Sequence, residues 1–258
     1  MKKIYNSLIL GSSYTQAGYA IAKKNCIVCE EGESADTTFY LALKNFKIDK
    51  ISPKTKLGQS LFNIYFKLNL FKNGMQNLNG FECGFCDFLL QNDVKILFKT
   101  KRIDTVKEGR IYKTRIMTVG GIKTIYSKEI IDLKAPLNKP SNEQVSRRWT
   151  ILYYSKNPDC AKERLLQTFK GATVEPAFFQ DRYAIHLPVN EYSDFNQMKL
   201  DVFNKWKESK PDCEIVYMSP ATYYTSTNTI FPQDFNYNNP VDALETGFKY
   251  AKEKEELK

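Results

Sequence analysis

The sequence contains one histidine, His186, and no long apolar run. A single imidazole excludes metal sites that draw several histidine ligands from one chain. No window reaches the roughly 20 apolar residues that a membrane-spanning helix needs. The segment Met1–Leu10 begins with lysines, but Asn6 and Ser7 interrupt its apolar run and no small-residue cleavage site follows, so it does not match a signal peptide. We therefore expect a cytoplasmic protein without a membrane partner.

Cysteines are present, yet their spacing does not predict a metal site. In a chain without a secretory signal the six thiols are expected to be reduced. Cys26 and Cys29 lie on a predicted strand, where residues three apart point to opposite faces, so they cannot share one metal ion. Cys83 and Cys86 lie on a predicted helix, where residues three apart share a face. They are either packing thiols or a redox dithiol, and we expect no metal.

Length and composition allow a folded α/β protein. The 258 residues fit one large domain, or one domain that carries an insertion, at roughly 150 residues per domain. Hydrophobic residues make up 42%, which is enough for a core of this size. The formal charge of +9 is compatible with a polyanionic partner, but lysine, asparagine, isoleucine and tyrosine are used heavily throughout. Because no basic helix or stacking platform is evident, we expect no nucleic-acid partner.

The first half of the chain has the pattern of a Rossmann-like unit followed by a β-meander. Two apolar runs flank a segment with helical periodicity, which predicts a βαβ unit. Its parts are Ile4–Leu10, Tyr14–Lys24 and Cys26–Cys29. Further helices are predicted at Thr38–Lys44, Gly58–Phe66 and Phe81–Gln91. The meander is predicted as Arg102–Val106, Ile111–Val119 and Ile122–Tyr126, with one more strand at Ser127–Asp132.

The second half has a different rhythm. From Trp149 to Met218 the predicted order is strand, helix, strand, strand, helix, strand, which is typical of a split βαβ sandwich. A short strand at Thr229–Phe231 and a helix at Pro240–Lys254 then return to the first fold. We therefore predict a dinucleotide-binding domain from residues 1–147 and 219–258, with an α+β substrate domain, residues 148–218, inserted in it.

The segment Gly11–Gln16 lies where a dinucleotide-binding turn would lie, after the first strand and before the first helix. A glycine permits the tight turn, and the free N–H groups of the helix N-terminus can bind a pyrophosphate. Glu30 follows Gly11 by 19 residues, close to the spacing of the acid that binds a ribose hydroxyl. Ser13 and Gln16, however, stand where the fingerprint has its second and third glycines. Dinucleotide binding and a βαβ unit that serves only as scaffold both stay open on this motif alone.

Three separated segments together resemble the FAD-dependent oxidoreductases of the glutathione-reductase-like superfamily. They are Leu8–Glu31, Asp93–Asp132 and Asn228–Ala251. The resemblance implies an FAD cofactor in contact with the first turn, the acid after the second strand, and the closing segment. The implied cofactor-binding residues are Gly11, Ser12, Ser13, Glu30, Asp234 and Asn239.

The chain departs from the pattern of that superfamily at two further places. It has Asp132-Leu133-Lys134-Ala135 where the family usually has Asp-Ala-Thr-Gly, and Gln233-Asp234 where the family has Gly-Asp. Since each change replaces a glycine near the cofactor, the sequence is identified as a short and degenerate member.

The function that follows is an FAD-dependent oxidoreductase that moves a hydride or an electron pair between a small organic substrate and flavin. His186 and Tyr183, on a strand of the inserted domain, are the candidate proton donors, and a satisfied structural histidine is the alternative for His186. The alternative function is a cofactor-free, Rossmann-like binding or scaffold protein that uses the cleft between its domains. A homo-oligomer or a partner chain is compatible with either.

Overall fold

The computed structural model describes residues 2–35, 39–40, 43, 46, 48–72, 75–132, 146–179, 181–189, 194–209, 211–225, 237 and 239–256. Its α-helices are α1 (Tyr14–Lys23), α2 (Lys56–Lys67), α3 (Leu78–Gln91), α4 (Pro158–Thr168), α5 (Phe195–Ser209) and α6 (Pro240–Glu256). Its strands are β1 (Ile4–Leu10), β2 (Cys26–Cys29), β3 (Phe71–Lys72), β4 (Met75–Gln76), β5 (Ile96–Leu97), β6 (Lys101–Glu108), β7 (Ile111–Thr118), β8 (Gly121–Asp132), β9 (Ser146–Tyr154), β10 (Thr173–Pro176), β11 (Arg182–Pro188) and β12 (Glu214–Thr225).

The larger sheet has the strand order β5-β2-β1-β8-β7-β6. Strands β5, β2, β1 and β8 are parallel. Strands β6, β7 and β8 form the antiparallel meander that the turn sequences Glu108-Gly109 and Gly120-Gly121 predict. The prediction of a separate strand from Ser127 is wrong, because β8 continues without a break. Tyr126 in its middle pairs with Ile4 on one side and with Lys113 on the other, so both neighbours hold the same strand.

Strand alternation divides the larger sheet into two buried faces. Ile9 and Val28 point into one core, which α1 and α6 cover. Leu8 and Leu10 point into the other, where Ile116 and Ile125 of the meander pack. Cys26 belongs to the first core and Cys29 to the second, which confirms that these two thiols face opposite sides.

The first and last helices of the chain, α1 and α6, pack at backbone contact. A Cβ atom on Gly18 would lie 2.0 Å from the carbonyl oxygen of Leu244, and one on Gly247 would lie 1.8 Å from the carbonyl oxygen of Thr15. Neither position has room for a side chain. This close contact fixes the start of α1, and with it the turn that follows β1.

Aromatic side chains from several elements form a further core over the start of α1. Tyr14 of α1 is fully buried, and its hydroxyl lies 2.6 Å from the hydroxyl of Tyr65 on α2. Its ring centroid is 3.9 Å from that of Phe85 on α3. The predicted helices Gly58–Phe66 and Phe81–Gln91 supply these rings, and both extend beyond the predicted bounds.

The second sheet has the strand order β10-β11-β9-β12, with antiparallel pairing throughout. Helices α4 and α5 cover one face, and their core includes Trp149, Ile151 and Trp206. The indole N–H of Trp149 donates to the carbonyl oxygen of Ser219 at 2.8 Å and ties β9 to β12. The order of elements is the one predicted from the sequence. The division into domains at residues 148 and 218 stays a prediction.

Several predictions fall outside the described residues. These are most of the helix at Thr38–Lys44, the strand at Thr229–Phe231, and the pair Gln233-Asp234, which stands where the superfamily has Gly-Asp. Among the helices that the structure describes, none combines the length and the apolar character needed to cross a bilayer.

Candidate functional site

The turn between β1 and α1 is built around Gly11. Its φ of +97° lies in the region that favours glycine, and its N–H donates to the carbonyl oxygen of Cys29 at 2.8 Å. A Cβ atom at this position would lie 2.6 Å from Nε2 and 2.8 Å from Oε1 of Gln16. The glycine is therefore needed for its backbone conformation and because the amide of Gln16 lies against it.

Ser13 and Gln16 form a reciprocal cap at the start of α1. The Ser13 hydroxyl accepts from the backbone N–H of Gln16, and the Ser13 N–H donates to Oε1 of Gln16 at 2.8 Å. Nε2 of Gln16 donates to the carbonyl oxygen of Leu10, at the end of β1. Sequence reasoning treated Gln16 only as a lost glycine and missed this role. The Ser-x-x-Gln spacing of a capping box is the signal that would have found it.

Glu30 lies directly after β2 and is only 6% exposed. Its Oε2 accepts from the backbone N–H of Ser12 at 2.9 Å and from the Ser12 hydroxyl at 2.8 Å. Its Oε1 accepts from the N–H of Gly32 at 2.8 Å. Glu31, which competes for the same role in the sequence, is exposed. The structure thus brings Glu30 to the turn, next to Ser12.

These contacts allow a test of whether a dinucleotide fits the turn. The backbone path, the positive φ of Gly11 and the position of Glu30 match what such a turn requires. The hydrogen-bond donors do not, because the N–H groups of Ser12, Ser13 and Gln16 already have protein oxygens as acceptors. The backbone of the turn therefore has the conformation that pyrophosphate binding requires. In this conformation, however, the side chains of Glu30, Gln16 and Ser13 occupy the N–H groups that would bind the pyrophosphate.

Asn239, at the start of α6, is 1% exposed and acts as a cap. Its Oδ1 accepts from the N–H of Asp242 at 2.9 Å, and its Nδ2 donates to Oδ2 of Asp242 at 2.7 Å. Pro240 occupies the first helical position, where the missing N–H costs nothing. The side chain of Asn239 is thus committed to α6, and the other candidate from this segment, Asp234, lies outside the described residues.

Six residues after Asn239, the carboxylate of Glu245 on α6 reaches the start of α2. Its Oε1 accepts from the N–H groups of Lys54 and Thr55, at 2.8 and 2.7 Å, and from the Thr55 hydroxyl at 2.9 Å. Glu245 is 7% exposed, and its Oε2 has no hydrogen-bond partner in the described part of the chain. Sequence reasoning missed this residue, because its partners lie in a polar loop far away in the sequence.

His186 and Tyr183 lie on opposite faces of β11. His186 is 3% exposed, with Nδ1 2.9 Å from the Thr150 hydroxyl and Nε2 2.7 Å from Oε1 of Glu175. The Thr150 hydroxyl is also 3.5 Å from the carbonyl oxygen of Leu43, so this face looks toward the aromatic core of the first half. Tyr183 instead stacks on Tyr153, in the core under α4 and α5. The two candidate proton donors do not share a site.

The thiols are dispersed. Burial raises the pKa of Cys26 to about 11 and that of Cys29 to about 12. On α3, Cys83 is exposed, while burial, then the charges of Glu82 and Cys83, raise the pKa of Cys86. Among the described residues, no three histidine, cysteine or acidic side chains come together in a way that could hold a metal ion.

Comparison with known proteins gives similarity in fold only. No protein-family model matches the chain, and no curated protein matches it in sequence. The solved structures that match include p-nitrophenol 4-monooxygenase from Pseudomonas putida DLL-E4, with a TM-score of 0.56 and 10% identity over 99% of this chain and 79% of that one. A flavoprotein/dehydrogenase from Cytophaga hutchinsonii has a TM-score of 0.56 and 13% identity, over 97% of this chain and 77% of that one.

A third match is aklavinone-11 hydroxylase, whose structure is a ternary complex with FAD and aklavinone. It has a TM-score of 0.55 and 9% identity, over 99% of this chain and 64% of that one. Such low identities establish the fold alone. The chain therefore has the mixed α/β fold of flavoprotein hydroxylases and monooxygenases.

Proposed function

We propose that the chain is an FAD-dependent oxidoreductase that acts on a small organic substrate, a short and degenerate relative of the glutathione-reductase-like flavoproteins. The observation that carries the proposal is the pairing of Gly11 and Glu30 at one edge of the parallel sheet. The positive-φ glycine ends β1, and the buried carboxylate after β2 reaches the next residue of the turn. The fold supports it, since one match of the same fold is a complex with FAD.

In this proposal the residues at the sheet edge hold the adenosine half of the cofactor. Once the side chains of Glu30 and Gln16 turn away from them, the N–H groups of Ser12 and Ser13 at the N-terminus of α1 would bind the pyrophosphate, and Glu30 would instead accept from ribose hydroxyls. Asn239 would set the N-terminus of α6, and Asp234 in the same closing segment completes the predicted set. The flavin, when bound, would supply the redox chemistry, while the protein binds and orients it.

We propose His186, and not Tyr183, as the proton donor. His186 lies on the face of the second sheet that looks toward the first half of the chain, whereas Tyr183 lies in the core under the helices. Both ring nitrogens of His186 already have partners, Thr150 and Glu175, which hold the imidazole in one orientation. A structural role for His186 is the alternative.

A second candidate function is a cofactor-free binding or scaffold protein, and a specific observation favours it. The donors that would bind a pyrophosphate already have protein acceptors, in Glu30, Gln16 and Ser13. A turn that satisfies its own hydrogen bonds is stable without a ligand.

The two candidates differ in whether the wild-type protein binds FAD. We expect purified protein, incubated with FAD and gel-filtered, to retain flavin absorbance that co-elutes with it. Colourless, folded protein after reconstitution would overturn the flavoprotein proposal and support the second candidate.

Glu30→Gln tests the site itself. The variant keeps the shape of the side chain and removes its charge, so we expect FAD binding to weaken about tenfold, as for the loss of one charge-assisted hydrogen bond. Glu31→Gln, at the exposed neighbour, is the matched control and should bind FAD as the wild type does. Equal FAD affinity in both variants would mean that Glu30 is not at the binding site.

A further inference from the structure

We infer that the side chain of Gln16 is an internal occupant of the pyrophosphate position, and that it determines how tightly the turn binds a dinucleotide. The inference rests on the proposed function, because it concerns the same turn. It adds a specificity-determining residue that acts on binding and takes no part in chemistry.

The side chain of Gln16 is buried and lies against Gly11. Gln16 is 4% exposed, although glutamine is usually at the surface. Its three terminal atoms lie 2.6 to 3.1 Å from the position that a Cβ of Gly11 would occupy. The space that the glycine leaves open, which lets a ligand approach the backbone in a dinucleotide-binding turn, is therefore filled by the amide of Gln16.

Both ends of the Gln16 amide are hydrogen-bonded. Its Oε1 takes the hydrogen bond of the Ser13 N–H, at 2.8 Å, as a phosphate oxygen would. Its Nε2 donates to the carbonyl oxygen of Leu10, so the other end of the amide is satisfied as well. Gln16 thus imitates a bound anion with a neutral group, which gains less from the positive end of the α1 dipole than a phosphate does.

A pyrophosphate must move this amide before it can reach the Ser13 N–H. The three atoms nearest to the Cβ position of Gly11 all belong to the end of the Gln16 side chain, which a rotamer change can move. The measured dissociation constant then equals the intrinsic one divided by the fraction of molecules with Gln16 turned away. If that fraction is about one in ten, removing the amide tightens binding about tenfold.

The experiment compares FAD binding by the full-length wild type, Gln16→Ala and Gln16→Glu, measured by calorimetry and by quenching of FAD fluorescence. We expect Gln16→Ala to bind FAD at least about tenfold more tightly than the wild type. Gln16→Glu keeps an acceptor for Ser13 but puts a negative charge in the phosphate position, so it should bind FAD at least about tenfold more weakly. Gln167→Ala, at an exposed glutamine of α4, is the matched control and should leave binding unchanged.

Riboflavin is the control ligand, because it lacks the pyrophosphate and the adenosine. Its binding should be the same in the wild type and in Gln16→Ala, and equal tightening for riboflavin and FAD would overturn the inference. Thermal melting checks that each variant is folded. Should Gln16→Ala fail to fold, FAD binding by Gln16→Glu at the wild-type affinity would still overturn the inference.

The outcomes separate this inference from the proposed function. Wild-type binding that Gln16→Ala does not improve overturns the role of Gln16 and leaves the flavoprotein proposal standing. Binding by Gln16→Ala but not by the wild type supports the role of Gln16 and overturns FAD as the cofactor of the native chain. No binding by either folded protein overturns both.

Discussion

Replacing Gly247 with alanine should separate α1 and α6, the two helices that hold the turn between β1 and α1 in place. The new Cβ would lie 1.8 Å from the carbonyl oxygen, 2.7 Å from the carbonyl carbon and 2.9 Å from the Cα of Thr15. All three obstacles are backbone atoms, so no rotamer change can relieve the contact. One helix must move by more than 1 Å to restore an ordinary van der Waals distance of roughly 3.5 Å.

The magnitude follows from two opposing effects. Overpacking a close contact costs about 3 kcal/mol, at the upper end of the usual range because rigid backbone stands on both sides. Alanine favours a helix over glycine by about 1 kcal/mol, which offsets part of that cost. The free energy of unfolding should therefore fall by about 2 kcal/mol, and the melting temperature by roughly 4 to 8 °C for a chain of this size.

The assay is thermal and urea unfolding of Gly247→Ala beside Gly120→Ala. Gly120 lies in the β7–β8 turn with open space around its Cβ position, where only the Thr118 hydroxyl lies within 4 Å. That control should melt as the wild type does. Gly18→Ala meets the same pair of helices, so the double variant should lose less stability than the two single losses added together. A Gly247→Ala protein that melts with the wild type would refute the backbone contact between α1 and α6.

Two further predictions concern buried ionisable side chains, Glu245 and Cys29. Glu245→Ala removes the acceptor for three donors at the start of α2 and should lower the free energy of unfolding, measured by urea titration, by about 3 kcal/mol. Glu245→Gln keeps an acceptor oxygen and should retain most of the wild-type free energy of unfolding. Equal stability of the alanine variant and the wild type would contradict this prediction. Burial raises the pKa of Cys29 to about 12, so the native thiol keeps its proton while the unfolded one loses it above about pH 9. The contribution of this thiol to stability should therefore be complete below pH 9 and should fall as the pH rises toward 12. Cys29→Ala should flatten the decline of the melting temperature over that range, and a steeper decline in the variant would contradict the prediction.

The secondary structure of this chain is largely visible in its sequence, since hydrophobic periodicity is a local signal. The split βαβ order from β9 to β12 and the meander turns follow from alternating residues and from the turn sequences Glu108-Gly109 and Gly120-Gly121. The continuity of β8 does not, because it depends on Tyr126 pairing with strands on both sides at once. A boundary set by partners from elsewhere in the chain leaves no mark in the local pattern.

The candidate site, like the fold, can be predicted from the sequence only in part. The spacing of Gly11 and Glu30 places both at the carboxyl edge of parallel strands, so their meeting can be derived from the βαβ unit. Their binding of a cofactor stays a prediction. The contacts of Glu245 with the start of α2, and the contact of Gly247 with Thr15, join distant segments, and the sequence offers no local signal for either. His186 and Tyr183 are three residues apart on a strand, and the period of two that separates them was available in the sequence.

The hydrogen bonds at the start of α1 explain why the turn lacks the second and third glycines of the fingerprint, since a helix leaves its first N–H groups without intrahelical acceptors. A dinucleotide-binding turn leaves those groups to a phosphate, and glycines keep side chains out of the way. Here Ser13 and Gln16, at the second and third glycine positions, supply the acceptors themselves through a capping box. The two departures from the fingerprint therefore compensate one another, since Ser13 accepts from Gln16 and Gln16 accepts from Ser13. Removing the side chain of Gln16 alone frees the Ser13 N–H, whereas removing that of Ser13 alone leaves the Gln16 amide against Gly11, so the change at position 16 is the one that opens the turn.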